Sequence, residues 1–123
     1  MAVPKEKVRV LVVEDDADAA DGFSYLLHLW GYAVRVCPTA GEALEAAGEQ
    51  PPQVVLLDFD VPEEGYRAAR RFHELGAAVI ALLDAGQALN GRRARRAGIR
   101  HHVTTPVDSY ELQKLLRQAQ GAG

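Results

Sequence analysis

Val8-Arg9-Val10-Leu11-Val12-Val13-Glu14-Asp15-Asp16 is the stretch on which the reading of this 123-residue chain turns. Aliphatic side chains fill nearly every position from Val8 to Val13. A strand of that kind has both faces covered, the situation of a strand inside a parallel sheet flanked by helices. Three acids end it abruptly. Val54-Val55-Leu56-Leu57 repeats the pattern further on and ends at Asp58, again an acid directly after a buried strand.

Working outward, the segment after Asp16 predicts a helix over Ala17 to Leu29, with Phe23, Leu26, Leu27 and Trp30 at helical spacing and Gly31 as its stop. Ala33 to Cys37 reads as a second strand. Thr39-Ala40-Gly41-Glu42 has capping-box spacing and opens a short helix through Ala47. Pro51-Pro52 breaks the chain before the second aliphatic run. Beyond it, the pattern predicts a helix over Tyr66 to Leu75 and a strand over Val79 to Leu83. A helix over Gln87 to Ala97, stopped by Gly98, a short strand over His102 to Thr104 and a helix over Asp108 to Gln120 follow, the last capped by Asp108. Five strands alternating with five helices imply right-handed crossovers and a doubly wound α/β fold with a parallel sheet. Ligands in such sheets bind at the carboxyl ends of the strands. The residues to inspect are therefore Glu14-Asp15-Asp16, Asp58 to Pro62, Leu83-Asp84 and Thr104-Thr105-Pro106.

The composition, 48% hydrophobic and 25% charged, is that of an ordinary globular domain. We expect one domain over residues 7–120, with residues 1–6 and 121–123 as flexible ends. One cysteine, Cys37, allows no intrachain disulfide and no cysteine-based metal site. The uninterrupted aliphatic runs are far shorter than the roughly twenty residues a membrane helix needs, and Met1 to Lys7 lacks the apolar core of a signal peptide, so a cytoplasmic protein is expected. Charge is unevenly distributed. Residues 1–64 hold 13 acids and 4 bases, while residues 65–123 hold 4 acids and 10 bases.

Glu14, Asp15 and Asp58 would meet at one sheet edge, and ionised carboxylates so close need a cation or a shared proton. Oxygen ligands without Cys or His favour a hard ion such as Mg²⁺. Such an ion would let a phosphoryl donor approach and leave Asp58 as a nucleophile. The competing explanation, that Glu14 to Asp16 merely cap the first helix, is weakened by the second acidic strand end at Asp58.

These motifs, with Pro62 and Gly65, Ala97-Gly98 and Thr105-Pro106, strongly resemble the receiver domain of two-component response regulators, from about Lys7 to Leu116. The resemblance implies the flavodoxin-like (βα)5 fold with strand order 2-1-3-4-5. It implies that Asp58 accepts a phosphoryl group from a sensor histidine kinase or histidine phosphotransfer protein. It also implies that Glu14, Asp15, Asp58 and the Asp60 backbone carbonyl hold Mg²⁺, and that Thr105-Pro106 is a candidate cis peptide. Such a domain is a signalling module rather than an enzyme, at most phosphorylating and dephosphorylating itself at Asp58.

The sequence departs from the family where phosphorylation is read out. Leu83 stands where the family has Thr or Ser, and Thr105 where it has Lys, while the aromatic switch position is His102. Losing the lysine removes a charge-assisted hydrogen bond of about 1.5–3 kcal/mol. Glu63 and Glu64 add negative charge beside the acceptor. These departures imply weakened switching, or a pseudo-receiver that binds partners without phosphorylation. The family's surface for protein partners or for a second copy of itself, formed by the fourth helix, fifth strand and fifth helix, would present Arg92, Arg93 and Arg96, with Arg95 lying away from them. A nucleic-acid interface is disfavoured, because a solvated helix face explains the arginines more simply. Asp58-Phe59-Asp60 also resembles the nucleophile motif of haloacid-dehalogenase-type phosphatases, but that motif belongs on a first strand and needs a later Lys. An FMN site needs a Gly/Ser/Thr-rich phosphate loop, and three acids take that place here.

Overall fold

A computed structural model describes residues 6–121. The alternation resolves into β1 (Arg9–Val13), α1 (Ala17–Leu29), β2 (Ala33–Cys37), α2 (Ala40–Glu49), β3 (Val54–Asp58), α3 (Pro62–Glu74), β4 (Ala78–Leu83), α4 (Gly91–Arg96), β5 (Ile99–Thr104) and α5 (Ser109–Gly121). The five strands form one parallel sheet in the order β2-β1-β3-β4-β5. The order reverses between β1 and β3, so the ends of these two strands form the crevice where a ligand is expected.

Side-chain alternation divides the core in two. Leu11, Val13, Val55, Leu57, Val79 and Ala81 face the layer that contains Phe72, Ala69 and Ala43. Val10, Val12, Val54, Leu56, Ile80 and Leu82 face Phe23, Leu27, Leu112 and Leu116. Because β1, β3 and β4 are buried on both faces, their ends are fixed in position, and so are the first residues beyond them.

The helix entries follow local chemistry. Asp16 caps α1 by accepting from the Ala19 N–H at 3.1 Å, and Thr39 caps α2 by accepting from the Glu42 N–H at 3.2 Å. The Asp108 carboxylate accepts from the Tyr110 and Glu111 N–H groups. Three expectations need correction. The third helix starts at Pro62 rather than Tyr66: proline suits the first helical position, and Glu63 and Glu64 complement the helix dipole there. The fourth helix begins at Gly91 rather than Gln87, because Asn90 caps it and the side chain of Gln87 is bonded elsewhere. The fifth strand begins at Ile99 rather than His102, immediately after Gly98. Of the ends expected to be flexible, Gly121 closes α5, and residues 1–5 and 122–123 lie outside the described residues.

Two glycines are required by what surrounds them. Gly98 has φ +78°, and a Cβ there would collide with Cγ of His73. At Gly65 a Cβ would lie 2.8 Å from the Phe59 ring. The residue beside Asp58 can therefore bury its ring against α3 only because position 65 has no side chain. Among the described residues no helix is long and apolar enough to cross a membrane.

Candidate functional site

The hydrogen bond from the Glu14 N–H to the Cys37 carbonyl (3.1 Å) extends the β1–β2 ladder one step past Val13 and places Glu14 at the crevice. Asp58 enters it from the neighbouring strand, in register with Leu82 of β4. Carboxylate oxygens of Glu14, Asp15 and Asp58 all lie within 4.8 Å of one another. The pocket around them measures about 200 Å³ and is lined by Asp60, Glu64 and Thr39 among others, with no Lys, Arg or His of the described residues in its wall.

Crowding without a counter-cation shows in the acid strengths. Burial first, then the charges of Glu14, Asp60 and Asp15, push the Asp58 carboxyl from its ordinary 3.8 up to about 7, and a hydrogen bond with Asp60 adds to the rise. Burial also raises Glu14, opposed by the hydrogen bond it accepts from the Asp16 N–H. The donor set suits a hard divalent ion. Oxygen ligands of Mg²⁺ sit about 2.1 Å from the metal and so about 3–4 Å from each other. The three carboxylate oxygens, within 4.8 Å of one another, are close to that spacing.

The residues expected to read out the site are elsewhere. Leu83 is buried in the core, 3% exposed. The Thr105 hydroxyl is shared between the Leu83 carbonyl at 3.2 Å and Asp84 Oδ1 at 3.1 Å, and its N–H donates to the same carbonyl at 2.7 Å. Thr105 is absent from the wall of the acidic pocket. The Thr105–Pro106 peptide is cis. His102 is exposed on the edge strand opposite Ala81, while half-buried His101 has its imidazole held below the usual range by burial and by Arg100.

The arginine face also needs correction. Arg93 does not join Arg92 and Arg96. Its guanidinium makes a bidentate pair with Glu63 (2.7 and 2.8 Å) and lies 4.3 Å over the Tyr66 ring. With Ala94 and Ala97 turned inward, Arg95 is the residue that shares the outward, exposed side with Arg92 and Arg96. The pairing also removes Glu63 as a free charge near the acceptor: the hydrogen bond and charge of Arg93 hold its carboxyl below the ordinary range. Glu64 remains in the pocket wall. Gln87 and Tyr66, which the sequence did not single out as site residues, carry the polar contacts of this region together with Asp84 from the inspected strand end.

A flavodoxin-like sheet with a carboxylate cluster at its switch point defines a receiver-type signalling domain. Residues 10–117 match the response regulator receiver domain, and the chain belongs to that family. It is 33% identical over 114 residues to an uncharacterised 14.6 kDa protein of Leptolyngbya boryana, covering 89% of this chain and 87% of that one. It is also 33% identical over 112 residues to the transcriptional regulatory protein KdpE of Mycobacterium tuberculosis, of which it spans only 50%. A CheY-like receiver domain protein from Methanospirillum hungatei superposes with a TM-score of 0.85 at 25% identity, covering 95% of this chain and 96% of that one. The receiver domain of the Saccharomyces cerevisiae response regulator Ssk1, solved with the histidine phosphotransfer protein Ypd1, shares the fold (TM-score 0.79, 19% identity, 93% and 89% covered).

Proposed function

We propose that this receiver takes up a phosphoryl group on Asp58 from a histidine kinase or phosphotransfer protein, with Glu14, Asp15, Asp58 and the Asp60 carbonyl holding Mg²⁺. The observation that carries the reading is the approach of the Glu14, Asp15 and Asp58 oxygens to within 4.8 Å at the switch point of the sheet. A bound Mg²⁺ would supply positive charge to offset both the carboxylates and the incoming phosphoryl oxygens. An Asp58 oxygen attacks phosphorus, the phosphorus–nitrogen bond to the donor histidine breaks, and the departing imidazole keeps the electron pair and is protonated. Glu14 and Asp15 orient the acceptor region and take no covalent part.

The level of modification is set against the product. Glu64 repels it, and no lysine ammonium faces it. Leu83 offers no hydroxyl, and the hydroxyl of Thr105 is engaged with Asp84 and the Leu83 carbonyl. These contacts favour slow phosphorylation weakly coupled to conformation. They also support a second reading, an interaction module that binds partners without phosphorylation through the surface of α4, β5 and α5, where Arg92, Arg95 and Arg96 are exposed. Such a domain works in the cytoplasm and has no need of nucleic acid. NMR titration with Mg²⁺ and then beryllofluoride tests the first reading: shifts at residues 14, 15 and 58–60, absent in Asp58→Asn, support it. A flat titration favours the interaction module.

A further inference from the structure

The corner that follows Asp58 is held from outside by a network that none of the site residues supplies. The Phe59 N–H donates to the Leu82 carbonyl at 3.1 Å, continuing the ladder with β4. Its carbonyl accepts from Nε2 of Gln87 at 3.0 Å. The ring is 1% exposed, pressed against Gly65 and packed edge-on to Tyr66 at 5.1 Å. Gln87 uses its other atom as well: Oε1 accepts from the Asp84 N–H at 2.8 Å. One neutral amide thus bridges the β3–α3 corner and the β4–α4 turn, which requires a donor and an acceptor on the same side chain.

Two further ties run in parallel. The Asn90 N–H, at the cap of α4, donates to the Tyr66 hydroxyl at 2.8 Å. Arg93, one turn into α4, closes on Glu63 and Tyr66 of α3. The segment from Asp84 to Arg93 is therefore fastened at Phe59, Glu63 and Tyr66, all within eight residues of Asp58. Leu83 and Thr105, in contrast, put no polar atom into the acidic pocket.

We propose that Gln87 is the positioning residue of this site, fixing the Phe59–Asp60 peptide and, with the Glu63–Arg93–Tyr66 latch, carrying a change of charge at Asp58 to α4. The inference rests on the reading of Asp58 as the acceptor. The Phe59 carbonyl and the Asp60 N–H share one rigid peptide plane, so holding the carbonyl sets where the Asp60 backbone begins. A displacement of that plane pulls on Gln87, and through Gln87 on the turn that leads into α4. The path runs through contacts other than the missing hydroxyl and ammonium.

The test is a chemical-shift cycle in the metal-free full chain. At pH 8, where the Asp58 carboxyl is ionised, Asp58→Asn removes the charge at the acceptor, and the amide signals of residues 91–96 report the change at α4. In the otherwise natural chain those signals are expected to move. In the Gln87→Glu background, which keeps the acceptor for the Asp84 N–H and loses the donor to Phe59, the displacement is expected to fall about threefold, as loss of one half-buried hydrogen bond weakens the coupling. With Arg93→Met added it should fall further, to what the Asn90–Tyr66 bond alone carries, while the Asp60 amide still responds. Gln87→Leu, which adds no charge, must behave like Gln87→Glu. Undiminished displacement in both Gln87 variants, or no displacement at α4 in the natural chain, overturns the proposal. The cycle uses neither Mg²⁺ nor phosphodonor, so the failure of Asp58 as an acceptor is read separately by the titration above.

Discussion

Replacing Asp58 by Asn should stabilise the metal-free protein, and by an amount that depends on pH. The folded state holds the Asp58 proton up to about pH 7, whereas the unfolded chain releases it near 3.8. Between these values the folded protein binds more protons than the unfolded one, so stability falls as pH rises across the window. Below pH 4 both states are protonated and the effect is absent; above pH 7 it is complete. The full shift corresponds to about 4 kcal/mol. Asp58 is only partly buried, and solvent screening reduces this to about 1–2 kcal/mol. Asp58→Asn should therefore raise the melting temperature at pH 8 by about 5 °C in chelator-treated buffer, with no gain at pH 4. Added Mg²⁺ should stabilise the natural protein at pH 8 and leave Asp58→Asn unchanged. Scanning calorimetry from pH 4 to 8 decides the matter. An Asn variant no more stable than the natural protein at pH 8, or equally stabilised at both pH values, would refute the argument from carboxylate crowding.

Other consequences follow from packing and from the departures at the sheet edge. Gly98→Ala meets both a positive φ and the His73 ring, and should lower stability by about 1–3 kcal/mol in urea melts. Adding His73→Ala should recover the steric part alone. Phe72→Ala, which empties a fully buried position of the core, should destabilise by about 3–5 kcal/mol. Leu83→Thr combined with Thr105→Lys should increase the rate at which a small phosphodonor labels Asp58, by about tenfold if one charge-assisted hydrogen bond is restored in the transition state. Labelling kinetics no faster than those of the natural chain would count against the roles assigned to these two positions.

What was readable from sequence was whatever local chemistry determines. Val10 to Val13 and Val54 to Leu57 announce strands buried on both faces, and Thr39 and Asp108 announce helix caps that the structure contains; Asp16 also caps α1, so the capping explanation set against the acidic site holds for that one residue. Glu14, Asp15 and Asp58 could be brought together because sheet topology dictates which strand ends are neighbours. The start of α3 was misplaced because the apolar period begins at Tyr66, whereas Pro62, Glu63 and Glu64 form the first turn through backbone fit and dipole. Gln87 lies in a stretch whose Gln, Ala and Leu all favour helix; its bond to Phe59 spans 28 residues and leaves no local trace. Arg93 was assigned to the wrong face for the same reason, since its partners Glu63 and Tyr66 lie on another helix.

Incubating the protein with Mg²⁺ and acetyl phosphate and measuring the intact mass, beside Asp58→Asn, tests the central claim most directly. The account predicts slow gain of one phosphoryl group, acid-stable and base-labile, dependent on Mg²⁺ and absent from the variant. An unchanged mass in the natural protein, or equal labelling of Asp58→Asn, would contradict it.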